Sequence, residues 1–301
     1  MQKLIISHCC GGLGNQMFQY AAGRALALRF GCPLCLDVSW FHRLKPGDTM
    51  REFLLLGFPG VAKAVSCIRG RKALGWADDA MRLFRRVSQT LHLSRLLGRH
   101  EVREPHFAYW PGIESVIPPA RLEGFWQSEK YFHSAAAAIR ADFAFPPLPS
   151  RPAQELAARI RSCPDAVSLH IRRGDYVNNP HTRAFHGMSG KEYYAAALER
   201  IRAAAGTTTV FLFSDEPQWV REHFDCQGHA PVVAELGLPD APQHDMHLMS
   251  LCRHHIIANS SFSWWGAWLG DGQGITIAPR RWFADPSIDT SDVCPSSWIL
   301  L

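Results

Sequence analysis

An apolar run at residues 4–9 ends in the glycine-rich stretch 10–15, after which apolar residues recur at helical spacing through Met17, Phe18, Ala21, Ala25 and Leu28 until Gly31. That pattern predicts a strand, a tight turn and a helix over 16–30, the opening unit of a doubly wound fold. From about 37 to 143 the pattern is broken by Pro and Gly scattered between basic segments, although Leu34 and Leu36 read as the start of a buried strand. The run Pro146-Pro147-Leu148-Pro149-Ser150-Arg151-Pro152 loses amide donors at its prolines and favours an extended connector. Beyond it the order is regular. Helices are predicted at 153–160, 190–205, 217–223, 245–253 and 263–269, and strands at 166–171, 208–213, 255–258 and 274–278. Ser189 with Glu192 has capping-box spacing, and Gly206 ends the same helix. Strands separated by helices imply a parallel sheet with its ligand crevice at the carboxyl ends. Two domains are expected, 1–148 and 149–301, the first with a basic helical insertion at about 61–103.

Composition narrows the class. Of 301 residues 47% are hydrophobic and 20% charged, which argues for a folded globular chain. No apolar run approaches bilayer length, and the run at 4–6 is too short for a secretion signal, so a cytoplasmic protein is expected. Nine cysteines, an odd number, then point to reduced thiols. Cys32-Pro-Leu-Cys35 lacks the two further ligands zinc needs, and His244-Asp245-Met246-His247 lacks a third, so no metal site is expected. The net charge of +5 is unevenly spread, with ten Lys/Arg between Val61 and Arg103 against Asp78, Asp79 and Glu101. A solvated insertion is the plainer reading. The alternative is peripheral contact with the inner face of a membrane, Met81, Leu83, Phe84 and Leu91 supplying apolar area. No interleaved aromatic pattern accompanies the charge, which argues against nucleic acid as a partner.

Four segments carry candidate chemistry. Gly11-Gly12-Leu13-Gly14-Asn15-Gln16 opens the first helix, whose N-terminal amides can face an anion. It lacks the third glycine of the dinucleotide fingerprint and the Lys-Ser/Thr of a Walker loop, which leaves a phosphate-facing loop and a packing turn both open. His170-Ile171-Arg172-Arg173-Gly174-Asp175 leaves a strand at the ligand edge, with His170 and Arg172 on one side. A guanidinium fork there suits a departing diphosphate; the plain alternative is an Arg173–Asp175 salt bridge. Phe213-Ser214-Asp215-Glu216 ends the next strand, with Ser214 or Asp215 as a helix cap and Pro217 in the first turn. Asn259-Ser260-Ser261-Phe262-Ser263-Trp264-Trp265-Gly266 offers hydroxyls and amides at another helix start. Sugar stacking is one use for Trp264, Trp265 and Trp268, but their spacing favours core packing for at least two of them. Together these segments describe a cleft that grips a diphosphate.

With Glu123-Gly124-Phe125-Trp126-Gln127-Ser128-Glu129-Lys130-Tyr131-Phe132 and the block from Ile256 to Trp268, the chain resembles the bacterial galactoside alpha-1,2-fucosyltransferases of glycosyltransferase family 11, nearly end to end. The resemblance implies an α/β fold of the GT-B type, with two Rossmann-like domains facing a cleft, the first on the acceptor side and the second binding GDP-fucose. It implies inverting transfer of L-fucose from GDP-β-L-fucose to O2 of a terminal galactose in an oligosaccharide or lipid-linked glycan, with no metal or other cofactor. It further implies that His170 and Asp245 contact guanine, Arg172 the β-phosphate, and Ser260 and Ser261 the diphosphate, while Gly14 and Asn15 approach phosphate and fucose. Arg173, Ser214, Asp215, Asn259 and Phe262 complete the expected donor site. A carboxylate suits guanine chemically, since it accepts from both N1–H and the 2-amino group. Arg172 and Asn15 are expected to act in catalysis, and Asp175 and His186 are the candidates to take the acceptor's proton. The alternatives are an alpha-1,6 or alpha-1,3 linkage, or a GDP-sugar- or glycan-binding protein without activity.

Overall fold

The computed structural model describes residues 3–42, 50–70, 101–174, 184–185, 187, 189–206, 208–226, 230–238 and 241–301. They form two compact units, one of Met1–Leu55 with Gly60–Asp142 and one of Leu56–Pro59 with Phe143–Leu301.

In the first unit a five-stranded sheet runs in the order β3 (Cys67–Arg69), β2 (Leu34–Asp37), β1 (Ile5–His8), β5 (Ala120–Glu123), β4 (Glu101–Arg103), every pairing parallel. Helix α1 (Leu13–Phe30) starts three residues before the predicted position, because Leu13, Gly14 and Asn15 enter its first turn. Gly31 ends it at φ 56°, a left-handed conformation in which its N–H reaches the carbonyls of Ala27 and Leu28. Ser7 Oγ donates to the Gln19 carbonyl at 2.5 Å and so ties α1 to the central strand. Register sets Cys35 opposite Cys67, and the two are disulfide-paired with Cα atoms 4.7 Å apart. This corrects the expectation of a wholly reduced set: strand pairing joins two thiols that nothing along the sequence connects. The other seven cysteines are free.

The second unit is a parallel sheet in the order β11 (Ile299–Leu300), β10 (Thr276–Ala278), β9 (His254–Ile256), β6 (Ala166–Ile171), β7 (Thr209–Ser214), β8 (Ala230–Val233). From the β8 side, and counting strands by order of appearance, this is 3-2-1-4-5-6, the dinucleotide-binding order. All six residues of β6 are buried, as a central strand covered on both faces requires. On one face Val167, Leu169, Val210 and Leu212 pack with Leu198 and Ile201 of α3 (Lys191–Ala205) and Val220 of α4 (Pro217–His223). On the other, Phe211 and Phe213 pack with Ala153, Ala157 and Ile160 of α2 (Arg151–Ser162) and Leu248 and Met249 of α5 (Gln243–Ser250). The last helix, α6 (Ser261–Trp268), buries Trp264, Trp265 and Trp268, so all three tryptophans are core.

Two predicted caps fail. Helix α3 takes Gly190 as its N-cap, and the buried Ser189 Oγ has no hydrogen-bond partner, so the Ser189–Glu192 spacing makes no capping box. Helix α4 is preceded by Glu216 at N-cap, without a side-chain cap bond. The basic segment at 61–103 is described only at 61–70 and 101–103. Among the described residues no helix is long and apolar enough to cross a membrane.

Candidate active site

The strand order of the second unit reverses at β6, which pairs with β7 on one side and β9 on the other, and ligands of such sheets bind at the carboxyl ends around that reversal. Register places Ile171 beside Ser214, so the turn after β6 meets the turn after β7. Arg172 Nη1 lies 3.0 Å from Asp215 Oδ2, and the Arg173 backbone N–H donates to Asp215 Oδ1 at 2.9 Å. A Cβ on Gly174 would stand 2.6 Å from Asp215 Oδ2, which is why a glycine follows the two arginines. Asp215 therefore clamps the turn that carries Arg172, while Ser214 Oγ accepts the Glu216 N–H at 3.0 Å; neither caps α4. Arg173 turns away, its Nε 3.0 Å from Glu216 Oε2 and its guanidinium 3.5 Å from the centroid of Trp219. The strand-end salt bridge exists, with Glu216 as partner. Asp175 and His186 lie outside the described residues.

His170, the next-to-last residue of β6, is 3% exposed. Burial pushes its imidazole down to about 4, with Asp215 opposing and Arg172 adding to the shift, so the ring is neutral at neutral pH. Its centroid is 5.8 Å from that of Phe262, and its Nδ1 has no hydrogen-bond partner. Asp245 sits in the first turn of α5, the helix that leads from β8 to β9 and so begins at the same carboxyl edge. Burial pushes its carboxyl up to about 6, and its Oδ1 is likewise unpartnered. Buried polar atoms without partners are uncommon in folded proteins, and here His170 Nδ1, Asp245 Oδ1 and the neighbouring His244 Nδ1 stand at the ligand edge of one sheet.

The turn after β9 is anchored by buried Asn259, whose Nδ2 donates to the Trp282 carbonyl at 3.2 Å. Ser260 is the N-cap residue of α6, yet its hydroxyl makes no cap bond; Ser263 Oγ instead donates to the Ser260 carbonyl at 3.2 Å. Ser261 and Phe262 open the helix. Among the described residues no group of three or more His, Cys, Asp or Glu is placed to hold a metal ion.

In the first unit Gly14 and Asn15 lie in the first turn of α1, and the packing reading accounts for the glutamines beside them. Fully buried Gln16 donates to the carbonyls of Gly11 and Glu52 at 2.9 and 2.7 Å and accepts the Leu54 N–H at 2.9 Å. Gln19 accepts the Cys10 N–H at 2.9 Å and donates to the Gly124 carbonyl at 3.2 Å. Asn15 Oδ1 accepts from Gln127 Nε2 at 2.8 Å. The turns after β1 and β5 are thereby stitched together. Sequence reasoning gave these glutamines no part, and it also missed Glu104, whose carboxylate receives the Phe125 and Trp126 N–H groups at 2.7 and 3.0 Å. The signal for Gln16 and Gln19 was a polar residue inside the largely apolar run Leu13 to Ala22; Glu104, between Arg103 and Pro105, gave none.

Residues 118–301 match Glycosyl transferase family 11. An alpha-1,2-colitosyltransferase from Escherichia coli is 32% identical over 301 residues, covering 99% of this chain and 98% of the relative. Galactoside alpha-(1,2)-fucosyltransferase 2 of Oryctolagus cuniculus is 25% identical over 273 residues, covering 89% of this chain and 67% of the relative. The solved structure of NodZ alpha-1,6-fucosyltransferase soaked with GDP-fucose matches with a TM-score of 0.44 at 16% identity, over 90% of this chain and 93% of that one. Each of the two units is a Rossmann-like α/β domain built on a parallel sheet. The chain belongs to glycosyl transferase family 11.

Proposed function

We propose that the chain moves L-fucose from GDP-β-L-fucose to O2 of a terminal galactose in a glycan, with inversion and without a metal. The observation that carries this reading is the pair of buried, unpartnered atoms His170 Nδ1 and Asp245 Oδ1 at the carboxyl edge of a sheet with nucleotide-binding strand order. Ionised Asp245 accepts from guanine N1–H and the 2-amino group, and neutral His170 supplies a second contact to the base. Arg172, clamped by Asp215, meets the β-phosphate, on which negative charge grows as the fucosyl C1–O bond breaks toward an oxocarbenium-like state. The amides at the start of α6, with Ser260 and Ser261, face the same diphosphate. The acceptor's proton passes to Asp175, His186 or the leaving phosphate.

A second reading keeps the linkage and changes the donor: the 32% identity to an alpha-1,2-colitosyltransferase favours colitose as the alternative sugar. The proposed setting is the cytoplasm. The test is a panel of GDP-fucose and GDP-colitose against β-galactoside acceptors in EDTA, with product linkage read by NMR. An alpha-1,2-fucosylated product is expected. Transfer of colitose alone moves the donor, an alpha-1,3 or alpha-1,6 product moves the linkage, loss of activity in EDTA restores a metal, and GDP-sugar binding without transfer leaves a binding protein.

A further inference from the structure

We infer that Phe125 is an aromatic platform on which the galactosyl ring of the acceptor stacks, making it a specificity-determining residue of the first unit; that the ring is galactose rests on the function proposed above. Phe125 lies two residues beyond β5, after Gly124, at the carboxyl edge of the first sheet and beside the turn that leaves central β1. Its backbone is held at every step. Gln19 Nε2 donates to the Gly124 carbonyl at 3.2 Å, and Glu104 takes the Phe125 and Trp126 N–H groups at 2.7 and 3.0 Å. The Ser128 N–H then donates to the Trp126 carbonyl at 2.8 Å. A Cβ on Gly124 would meet Glu104 Cβ at 2.5 Å, so the close approach needs glycine. Trp126 itself is driven to φ 56°, where a bulky residue is an outlier, and strain of that kind clusters at ligand-binding positions.

The strained turn sends its two aromatic rings to opposite fates. Trp126 is fully buried, edge-on to Tyr131 at 5.2 Å between centroids. Phe125 is left 41% exposed on a backbone that cannot retract. Packing buries the Trp126 ring while leaving its Nε1 without a hydrogen-bond partner, and it does nothing for Phe125. The same edge carries Asp37 and Glu123, both held by Arg121 at 3.0 and 3.1 Å, and carboxylates accept from sugar hydroxyls. An aromatic residue with an anchored backbone, on a sheet edge that also carries carboxylates, suits a galactopyranoside, whose axial O4 leaves a continuous patch of C–H groups on one face of the ring.

The experiment is saturation-transfer NMR on the full chain with methyl β-D-galactoside and no nucleotide, which reads the acceptor site independently of the donor. The parent protein should saturate the ring protons of the apolar face most strongly. Phe125→Ala should abolish that preference and raise the acceptor KM about five- to tenfold, and Phe125→Trp should retain both. Because the side chain is exposed, the melting temperature of Phe125→Ala should match the parent, which separates lost stacking from lost folding. An unchanged saturation pattern in Phe125→Ala, or no galactoside signal in the parent, overturns the platform. If the galactoside binds through Phe125 but neither GDP-fucose nor GDP-colitose is turned over, the platform stands and the functional reading fails.

Discussion

Asp245 offers the sharpest test of the donor site because its burial has two separable consequences. Its carboxyl ionises at about 6 in the folded chain against an ordinary 3.8, the cause being desolvation on the first turn of α5. Below about pH 3 the group is protonated both folded and unfolded and contributes almost nothing. As pH rises from about 3 to 6 the unfolded chain releases its proton first, so stability falls, and above the folded value the full penalty of about 3 kcal/mol is present. Asp245→Asn removes the charge. Its melting temperature should lie close to the parent's at pH 4 and exceed it by several degrees at pH 7.5, at about 2–4 °C per kcal/mol for a unit of this size. The second consequence has the opposite sign. A carboxylate reading guanine must be ionised, so GDP affinity in the parent should weaken toward tenfold per pH unit below about 6. The ratio of parent to Asp245→Asn affinities cancels the titration of GDP's own phosphates. At pH 7.5 the variant should bind GDP ten- to a hundredfold more weakly, the worth of hydrogen bonds to a charged group, and should lose the preference for GDP over inosine diphosphate. Scanning fluorimetry from pH 4 to 8 and titration calorimetry measure both. Undiminished GDP selectivity in Asp245→Asn would refute the guanine assignment, and a stability gain independent of pH would refute burial as the cause of the raised carboxyl.

Two further substitutions separate catalysis from folding. Arg172→Ala should lower kcat about 10²–10³-fold, as loss of one preorganised charge-stabilising donor does, while the melting temperature moves little because the Arg172–Asp215 pair is partly exposed and contributes about 1 kcal/mol; near-normal turnover would remove Arg172 from the mechanism. Trp265→Ala empties a fully buried site against Phe143, whose ring lies 5.1 Å away, and should cost about 3–5 kcal/mol. A melting temperature within about 2 °C of the parent would place the indole outside the core and reopen a sugar-stacking role.

What could be read in advance follows from where the information sits. Strands β6 and β7 are six residues long and mostly apolar, between helix signals, and the predicted bounds lie within a residue of the observed ones. Strands β3, β4 and β11 have two or three residues, too few to show a period, and β8 includes Pro231, which argues against a strand until the edge position is known. The same division runs through the site. That Arg172 stands at a strand's carboxyl end is written in the chain, but its pairing with Asp215 depends on the register of Ile171 with Ser214. The Cys35–Cys67 pair is likewise a fact of register. The failed Ser189–Glu192 cap shows the reverse case, a valid local pattern overridden when Gly190 takes the N-cap position.

The Asp215 clamp also bears on how charge is handled in the reaction. Both guanidinium groups after β6 have carboxylate partners, Arg172 with Asp215 and Arg173 with Glu216, and His170 is neutral. Binding therefore does not rest on a bare excess of positive charge at this turn, which would draw any polyanion equally. An arginine already fixed by a carboxylate pays little reorganisation when negative charge develops beside it, whereas a mobile one must be ordered at that moment. Gly174 fits the same logic, since its missing Cβ is what lets Asp215 close over the turn. In the proposed reading selectivity then falls to neutral His170 and ionised Asp245, whose unpartnered atoms a guanine base would meet.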